Sequence, residues 1–364
     1  MKEGTMKQAW LMGKGGPWEI REVPIPKPGP GQLLIKMKAS SICNQTDLNT
    51  IRALHPPEDL QLTFMLPHHL RIWDNRIPDA LSDVYPARPH RRKPFPTIMG
   101  HEGMGEVVEV GPYIKKEETL LAANIDFKPG DRVASFNTRA AFGEYVLLDR
   151  NETIKVPDSV SNEEASLLEP GIVVYSVVEN VVSITDTVCI LGQGALGLIA
   201  TQLARVRGAS RIIVSEPIAM KRKLAKKFGA DITIDPSTTN VVHEIEKLTD
   251  GKGVNAIIEA AGVPGTIRVL PYIAGVGAMI GQIGACCVPV MVDWSYIHFK
   301  AMQVVSVMSQ ANWVNFMKTS MGLLASGKLN VKPMITHRYK LEDIDKAFKD
   351  VESGMVIKGM FIFE

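Results

Sequence analysis

The chain has few cysteines. Among 364 residues only four are present, at positions 43, 189, 286 and 287. A disulfide-stapled domain needs many cysteines, and a zinc knuckle needs pairs with CxxC spacing. Neither pattern occurs here, so both classes of protein are excluded. We expect Cys286 and Cys287 to lie in or beside a strand as small apolar residues.

An excess of one charge and a long apolar run are also missing. Lysine and arginine number 41 against 39 aspartates and glutamates, so the overall charge gives no reason to expect nucleic acid or an acidic membrane surface as a partner. The longest weakly polar run, Gly275 to Val292, contains Gln282 and four glycines. It therefore predicts two buried strands and not a membrane span.

The amino terminus begins with charged residues and lacks the apolar segment that a signal peptide needs. We therefore expect a soluble, cytoplasmic protein. A chain of 364 residues, 45% of them apolar, indicates more than one domain, because single cores rarely grow beyond roughly 250–300 residues.

Two patterns of apolar segments divide the sequence. Between Trp10 and Pro157, short apolar runs separated by glycine and proline predict a β-rich domain. From Asp186 onward, buried strands alternate with helices, which predicts an α/β domain with a doubly wound parallel sheet. The predicted alternation is strand Thr187 to Leu191, helix Ala195 to Arg207, strand Arg211 to Ser215, helix Ala219 to Phe228, and strands Ala256 to Glu259 and Met279 to Ile283.

Residues 51–96 fit neither pattern. They contain eight prolines and four of the eight histidines of the chain. Loops of this length inside a compact domain are usually functional or disordered. We interpret the segment as an insertion that forms a surface excursion or a subunit contact, and the alternative is a lid over the substrate.

A glycine-rich turn, Gly192-Gln193-Gly194-Ala195-Leu196-Gly197, follows a predicted strand and opens a predicted helix. Glu216 ends the next strand, 19 positions after Gly197. This context is the full dinucleotide-binding fingerprint. The first glycine permits the tight turn, the second lets the backbone approach the pyrophosphate, and the third lets the helix pack closely on the strand.

The residues after this turn indicate which dinucleotide is bound. Glu216 would accept hydrogen bonds from the adenine ribose hydroxyls and would repel a 2′-phosphate, so NAD is expected in preference to NADP. Lys221 follows closely and could soften that preference. Gly281 and Ile283, at the end of a later strand, are expected near the nicotinamide, because ligands lie outside the carboxyl ends of such strands.

A second group of residues has the donor types of a metal site. Cys43 supplies a thiol, His101 an imidazole and Glu102 a carboxylate. A catalytic zinc uses these ligand types when it leaves one position open for water or substrate. The pairing of a metal site with a dinucleotide site indicates hydride transfer between an alcohol and a nicotinamide cofactor, with the metal polarising the oxygen.

Several motifs carry a resemblance to a known family. They are Gly100-His101-Glu102 with Gly105, Gly111 and Ile114, and the runs Gly130-Asp131-Arg132-Val133, Gly143-Glu144-Tyr145-Val146 and Glu169-Pro170. With them the chain, outside residues 51–96, resembles the zinc-dependent alcohol dehydrogenase-like members of the medium-chain dehydrogenase/reductase superfamily. The resemblance implies a GroES-like catalytic domain over residues 1–165 and 309–364, and a Rossmann domain over residues 166–308.

The resemblance also implies a zinc ligand set. Zinc would be held by Cys43 and His101, with Glu102 and Glu169 as further ligands or as partners of the bound water. The Glu169-Pro170 pair resembles the sorbitol and polyol dehydrogenase branch. The family's second, structural zinc needs four cysteines, and the corresponding run Ser135 to Arg139 has none. We therefore expect one zinc per chain.

The segment after Cys43 departs from the family. The run Cys43-Asn44-Gln45-Thr46-Asp47 has one more residue than the common spacing. Thr46 is a candidate for a hydroxyl relay to the cofactor ribose, and Asp47 is a candidate for orienting His101. Both residues could instead cap a short helix.

Together these features predict a zinc- and NAD-dependent dehydrogenase that interconverts a secondary alcohol and its ketone. The polyol, sugar or cyclitol class of substrate follows from the resemblance alone. The alternatives are a zinc-free quinone or enoyl reductase of the same fold and a non-enzymatic dinucleotide-binding protein. The joint presence of the metal donors and Glu216 argues against the reductase, and the intact set of metal donors argues against the non-enzymatic protein. The resemblance further suggests a homodimer or homotetramer assembled through the edge of the Rossmann sheet.

Overall fold

The computed structural model describes residues 4–52, 95–112, 126–306 and 313–364. The predicted insertion of residues 51–96 lies almost entirely outside these ranges, as does Ile114. Both therefore stay predictions.

The first part of the chain forms mainly strands. The elements are β1 Thr5–Leu11, β2 Trp18–Pro24, β3 Gln32–Ser41, α1 Thr46–Ile51, β4 Thr97–Ile98, β5 Glu102–Val110, β6 Arg132–Ser135, β7 Tyr145–Asp149, β8 Thr153–Lys155, α2 Asn162–Ala165 and α3 Leu168–Val181.

The second part alternates strands and helices, and the chain then returns to the first part. The elements are β9 Thr187–Leu191, α4 Ala195–Val206, β10 Arg211–Ser215, α5 Ala219–Lys227, β11 Ile232–Ile234, α6 Val241–Leu248, β12 Val254–Glu259, α7 Pro264–Ile273, β13 Ala274–Gln282, α8 Trp294–Phe299, β14 Gln303–Ser306, α9 Trp313–Ala325, β15 Ile335–Tyr339, α10 Ile344–Glu352 and β16 Lys358–Ile362.

The β-rich part contains a mixed sheet of order β15-β16-β3-β5-β6-β8, with β7 also paired to β3. A smaller antiparallel sheet has the order β2-β1-β4. In the mixed sheet, Ser41 lies opposite Met360 on one side and Glu102 on the other. The carboxyl-terminal strand is therefore held beside the strand that leads to Cys43, which brings distant parts of the sequence together.

The second sheet is parallel throughout and has the order β11-β10-β9-β12-β13-β14. The order reverses between β9 and β12, and ligands of such folds bind at that point. The central strand β9 is buried from Val188 to Leu191, as expected for a parallel strand covered on both faces. The predicted doubly wound sheet is confirmed, and strands β9 and β10 have the predicted bounds.

The helix α3 lies between the two sheets. Its buried residues Leu168 and Ile172 belong to one continuous apolar core that also includes Met104 of the mixed sheet and Ile190 of the parallel sheet. Burial of apolar surface on both sides of α3 stabilises the two sheets against each other. The first turn of α3, which carries Glu169, is thereby held at their junction.

The prediction of two strands between Gly275 and Val292 is wrong. One strand, Ala274–Gln282, is present, and residues 283–293 form a loop before α8. Pro289 lacks a backbone N–H and cannot contribute to a ladder there. Cys286 and Cys287 lie in this loop, half-buried, instead of packing in a strand. In the described ranges, no helix has the length and apolar character needed to cross a bilayer.

Candidate active site

A cavity of about 630 Å³ lies between the two sheets. One end is lined by Cys43, His101, Glu102 and Glu169, and we call it the metal-donor end. The other is lined by the glycine-rich turn and Glu216, and we call it the dinucleotide end. The residues predicted to serve two different ligands therefore line one continuous space.

Three donors meet at the metal-donor end. One potential ligand atom from each of Cys43, His101 and Glu102 lies within 4.8 Å of the other two. Cys43 follows β3, whereas His101 and Glu102 lie at the start of β5, so the antiparallel pairing of these strands brings them together. A thiol, an imidazole and a carboxylate at this separation fit a zinc ion. Glu169 lies outside this group of three but lines the same cavity.

Glu102 is held in a buried ion pair. The Nζ of Lys358 lies 2.7 Å from its Oε1, and the Ser41 hydroxyl also donates to the carboxylate. Lys358 donates a further hydrogen bond to the Ile42 carbonyl at 3.1 Å. Glu102 and Lys358 are only 1% and 2% exposed. Burial alone lowers the pKa of Lys358, but the negative charge of Glu102 raises it above its usual value.

His101 is oriented by Asp47. The Asp47 Oδ1 lies 3.5 Å from His101 Nδ1, and its Oδ2 accepts a hydrogen bond of 2.9 Å from the Cys43 backbone N–H. Burial lowers the pKa of His101, but the charge of Asp47 and hydrogen bonds with Asp47 and Cys43 raise it well above its ordinary value. Asp47 therefore braces two of the three donors.

Glu169 has a different environment from Glu102. Burial raises the pKa of Glu169 to about 7, against the opposing effect of the positive charge of His101. Among the described residues, no group donates a hydrogen bond to the Glu169 carboxylate. At the metal-donor end, Glu169 is thus the carboxylate that no described residue holds in place by a hydrogen bond.

Thr46 and Asp47 occupy the first two positions of α1, and the N-cap residue is Gln45, which makes no side-chain cap bond. The alternative in which Thr46 or Asp47 caps the helix is therefore not what the structure contains. Thr46 is exposed and lines the cavity, where its hydroxyl is open to a ligand.

The dinucleotide end begins with the predicted tight turn. Gly192 has a φ of +90°, a conformation that favours glycine. A Cβ at Gly197 would lie 1.9 Å from the Gly192 carbonyl oxygen, so only glycine lets α4 start this close to the turn. A Cβ at Gly194 would meet nothing within 4 Å. Gly194 therefore faces open space, where a ligand can approach the backbone.

Glu216 closes this end of the cavity. Its carboxylate accepts hydrogen bonds from the backbone N–H groups of Gln193, at 2.7 Å, and Ile218, at 3.0 Å. Lys221 on α5 lines the same space, and burial lowers its pKa while the charge of Glu216 opposes that change. The acidic residue and the cation predicted to govern cofactor choice are thus neighbours.

The other predicted cofactor residues fall into two groups. Ala195, Leu196 and Ile283 line the cavity. Gln193 is fully buried, and its side-chain oxygen accepts a hydrogen bond from the Thr201 hydroxyl. A Cβ at Gly281 would collide with Val177 of α3. Gln193 and Gly281 therefore do not line the cavity. Gln193 stabilises the turn from the protein interior, and Gly281 lets β13 pack closely against α3.

The sequence-based prediction missed three residues that organise this site, Lys358, Gln45 and Glu259. Lys358 is a single cation in an otherwise apolar terminal strand, a pattern that indicates a buried partner of opposite charge. Glu259 ends strand β12 and is fully buried, and the rule that ligands lie at carboxyl ends of parallel strands could have identified it. No sequence pattern indicated the contact of Gln45.

Comparison with protein families gives two matches. Residues 79–158 match the alcohol dehydrogenase GroES-like domain, and residues 195–326 match the zinc-binding dehydrogenase domain. The predicted combination of a GroES-like domain with a Rossmann-type parallel sheet is thereby confirmed.

Curated relatives match over most of the chain, and solved structures match over nearly all of it. The L-threonine 3-dehydrogenase of Pyrococcus abyssi is 33% identical over 366 residues, with 95% of each chain covered. A protein of Sinorhizobium meliloti 1021, described as a zinc-binding dehydrogenase bound to NADP, superposes with a TM-score of 0.79 and 25% identity, covering 99% of this chain and 100% of that one. The 2R,3R-butanediol dehydrogenase of Bacillus subtilis shares the fold, with a TM-score of 0.76, 24% identity and the same coverage.

Proposed function

Because the chain belongs to the zinc-type alcohol dehydrogenase-like family of medium-chain dehydrogenases/reductases, we propose that it transfers hydride between a secondary alcohol and NAD at the cavity between its two sheets. The observation that carries this proposal is the continuity of that cavity, which joins the cluster of Cys43, His101 and Glu102 to the glycine-rich turn. Hydride transfer requires that a substrate carbon and a nicotinamide share one closed space.

The donor set fits one zinc ion per chain. When bound, zinc supplies a Lewis acid that polarises the oxygen of the substrate. Cys43 and His101 are the proposed ligands. Since Lys358 and Ser41 already engage Glu102, we propose that Glu169 would be the carboxylate that completes the zinc ligand set, and that the negative charge of Glu102 would offset the positive charge of the ion.

The proton of the alcohol needs a route out of the cavity. The Thr46 hydroxyl is exposed there and can accept a proton at Oγ1 while it passes on its own, so we propose Thr46 as the relay. Asp47 keeps His101 oriented during this step through the contact described above.

NAD is the proposed cofactor. The Glu216 carboxylate lines the cavity with the glycine-rich turn, and we propose that it would repel a 2′-phosphate there, whereas Lys221 would reduce the preference for NAD. The structural relative from Sinorhizobium meliloti is bound to NADP, so a comparison of NAD and NADP belongs in the first assay.

Two substrate classes follow from different observations. Polyols, sugars and cyclitols follow from the Glu169-Pro170 pair. L-Threonine follows from the curated relatives, which are named L-threonine 3-dehydrogenases and are 32–33% identical to this chain in the case of the three Pyrococcus enzymes. Both classes are secondary alcohols. We place L-threonine first, because the relatives match the chain over 95% of its length.

The test is NADH formation with each class, by the zinc-loaded protein, followed at 340 nm. We expect turnover with L-threonine or with a polyol, and a higher kcat/KM with NAD than with NADP. Reduction of quinones or enones with NADPH, without any alcohol oxidation, would instead support the zinc-free reductase.

We also propose that a second copy of the chain pairs along β14, the edge strand of the parallel sheet. Large apolar side chains are exposed on and near this edge, namely Val276, Met291, Trp294, Phe299 and Val304. Covering such side chains favours association. Analytical ultracentrifugation should give a dimer or tetramer for the native chain, and Val304→Lys should yield monomers. A monomeric native chain would contradict the proposal.

A further inference from the structure

Gln45 links the β-rich half of the molecule, which carries the metal donors, to the parallel-sheet half, which carries the glycine-rich turn. Its Nε2 donates a hydrogen bond of 2.7 Å to the Ala285 carbonyl, and its Oε1 accepts one of 2.9 Å from the Ala285 backbone N–H. Gln45 precedes α1, two residues after Cys43, whereas Ala285 lies in the loop after β13 of the parallel sheet. One side-chain amide thus satisfies both backbone groups of a residue in the other half of the molecule.

A second contact repeats this bridge one helical turn later. The Asn49 Nδ2 donates to the Cys287 Sγ at 3.3 Å. Residues four apart on a helix lie on one face about 6 Å apart, and two residues of extended chain span up to roughly 7 Å. One face of α1 therefore matches the spacing of residues 285 and 287, and the two contacts act together.

Hydrogen bonds to the buried Glu259 hold the residues around this loop in place. The buried Glu259 carboxylate accepts hydrogen bonds from the Gly262 backbone N–H, the Thr266 hydroxyl and the Gln282 amide. Gly262 has a φ of +65°, and a Cβ there would lie 2.2 Å from the Gln45 Nε2. The absence of a side chain at Gly262 is what leaves room for Gln45 to reach Ala285.

We propose that Gln45 is a positioning residue, a clasp that holds the loop 284–288 of the parallel-sheet half against the segment that carries Cys43. The metal donors Cys43, His101 and Glu102 belong to one half, and the dinucleotide turn belongs to the other. The clasp joins them within the cavity itself, since Gln45 and Ala285 are both among its lining residues.

The first experiment tests the clasp by amide hydrogen exchange and does not depend on enzymatic activity. Amide hydrogen exchange at Ala285, resolved by fragmentation mass spectrometry, is compared in four metal-loaded proteins. Gln45→Met keeps the side-chain length and loses both hydrogen bonds, so exchange at Ala285 should become about tenfold faster. Gln45→Glu keeps the acceptor for that N–H but places a carboxylate oxygen against the Ala285 carbonyl in place of the amide donor, so it should also accelerate exchange at Ala285. The control variant Lys328→Met changes an exposed residue far along the chain. Its exchange at Ala285 should equal that of the unmodified protein.

Unchanged exchange at Ala285 in Gln45→Met would overturn the proposal. A methyl group at Gly262 would displace Gln45 and would also lie 2.9 Å from the Ala285 backbone N and O. Unchanged exchange at Ala285 in a folded Gly262→Ala protein would therefore oppose the clasp as well.

The second experiment measures the consequence for catalysis and rests on the proposed function. In Gln45→Met, zinc content should stay at its original value, because Asp47 and Lys358 hold the metal-donor end independently of Gln45, and hydride transfer is measured at saturating NAD. The single-turnover rate of hydride transfer should fall about tenfold, since small misplacements of reacting groups cost this much or more. An unchanged rate would contradict the positioning role. If no alcohol is oxidised, the proposed function fails, and the exchange experiment still decides on the clasp.

Discussion

The two ends of the cavity are built in different ways. At the dinucleotide end, the lining comes from the short run Gly192 to Gly197, of which Gly192, Gly194, Ala195 and Leu196 face the cavity, and from the nearby Glu216, which is joined to the run through backbone groups. At the metal-donor end, residues from positions 43, 101, 169 and 358 meet only because β3, β5, α3 and β16 converge. One end rests on local geometry and the other on buried charges brought from distant parts of the chain.

This difference determines how each end should respond to change. Loss of one hydrogen bond at a backbone-built turn costs little beyond that bond. In contrast, a buried ion pair that loses one partner leaves an uncompensated charge in a poorly solvated place. The metal-donor end should therefore be the more sensitive of the two, and substitutions at matched positions can test that expectation.

The largest effect is expected from removal of a metal donor. Cys43→Ser and His101→Ala should each abolish zinc binding and detectable turnover, because the remaining donors are too few for a catalytic zinc. NAD affinity, measured by fluorescence titration, should stay close to that of the original protein, since the turn lies in the other half. Full activity in either variant without zinc would refute the assigned ligands.

The next largest effect is expected at Lys358. Lys358→Met leaves the Glu102 carboxylate buried without its cation, which should lower the free energy of unfolding by about 3–5 kcal/mol. Urea denaturation of the metal-free protein measures the change. The matched control is the double variant Lys358→Met with Glu102→Gln, which removes both charges and should recover most of the loss. Equal stability of the single and double variants would show that the ion pair is not the cause.

A smaller effect is expected at Glu216. Glu216→Gln removes the charge and keeps an acceptor for the Gln193 N–H at the loss of the one for the Ile218 N–H, so the turn should stay folded. The ratio of kcat/KM for NAD to that for NADP should fall about tenfold, because the repulsion of the 2′-phosphate is lost. If the ratio does not move, Glu216 has no part in cofactor choice.

An effect of the same size as that at Glu216 is expected at Gly194, but on NAD affinity instead of on the preference between cofactors. A methyl group there meets no protein atom within 4 Å, so Gly194→Ala should keep its melting temperature while NAD affinity falls about tenfold through contact with the pyrophosphate. Gly322→Ala in α9, where a Cβ also meets nothing within 4 Å, is the matched control and should leave NAD affinity unchanged. Equal affinities in both variants would indicate that the dinucleotide does not approach Gly194.

The same contrast explains what could be predicted from the sequence. The strand β9, the turn at Gly192 and the acidic Glu216 follow from periodicity and spacing within about 30 residues, the length of one strand–helix–strand unit. Lys358 and Gln45 act across 256 and 240 positions of sequence, and no local pattern specifies such partners. The prediction of a second strand before Val292 is wrong because an apolar run does not distinguish a strand from a loop that lines a cavity.

Zinc content per chain tests the central claim most directly. It is measured by elemental mass spectrometry on protein purified without added metal. The structure and the donor set predict about one zinc per chain, lost in Cys43→Ser and His101→Ala. A folded protein that binds NAD and contains no zinc would contradict the account, and the cavity would then belong to a zinc-free reductase or to a dinucleotide-binding protein without enzymatic activity.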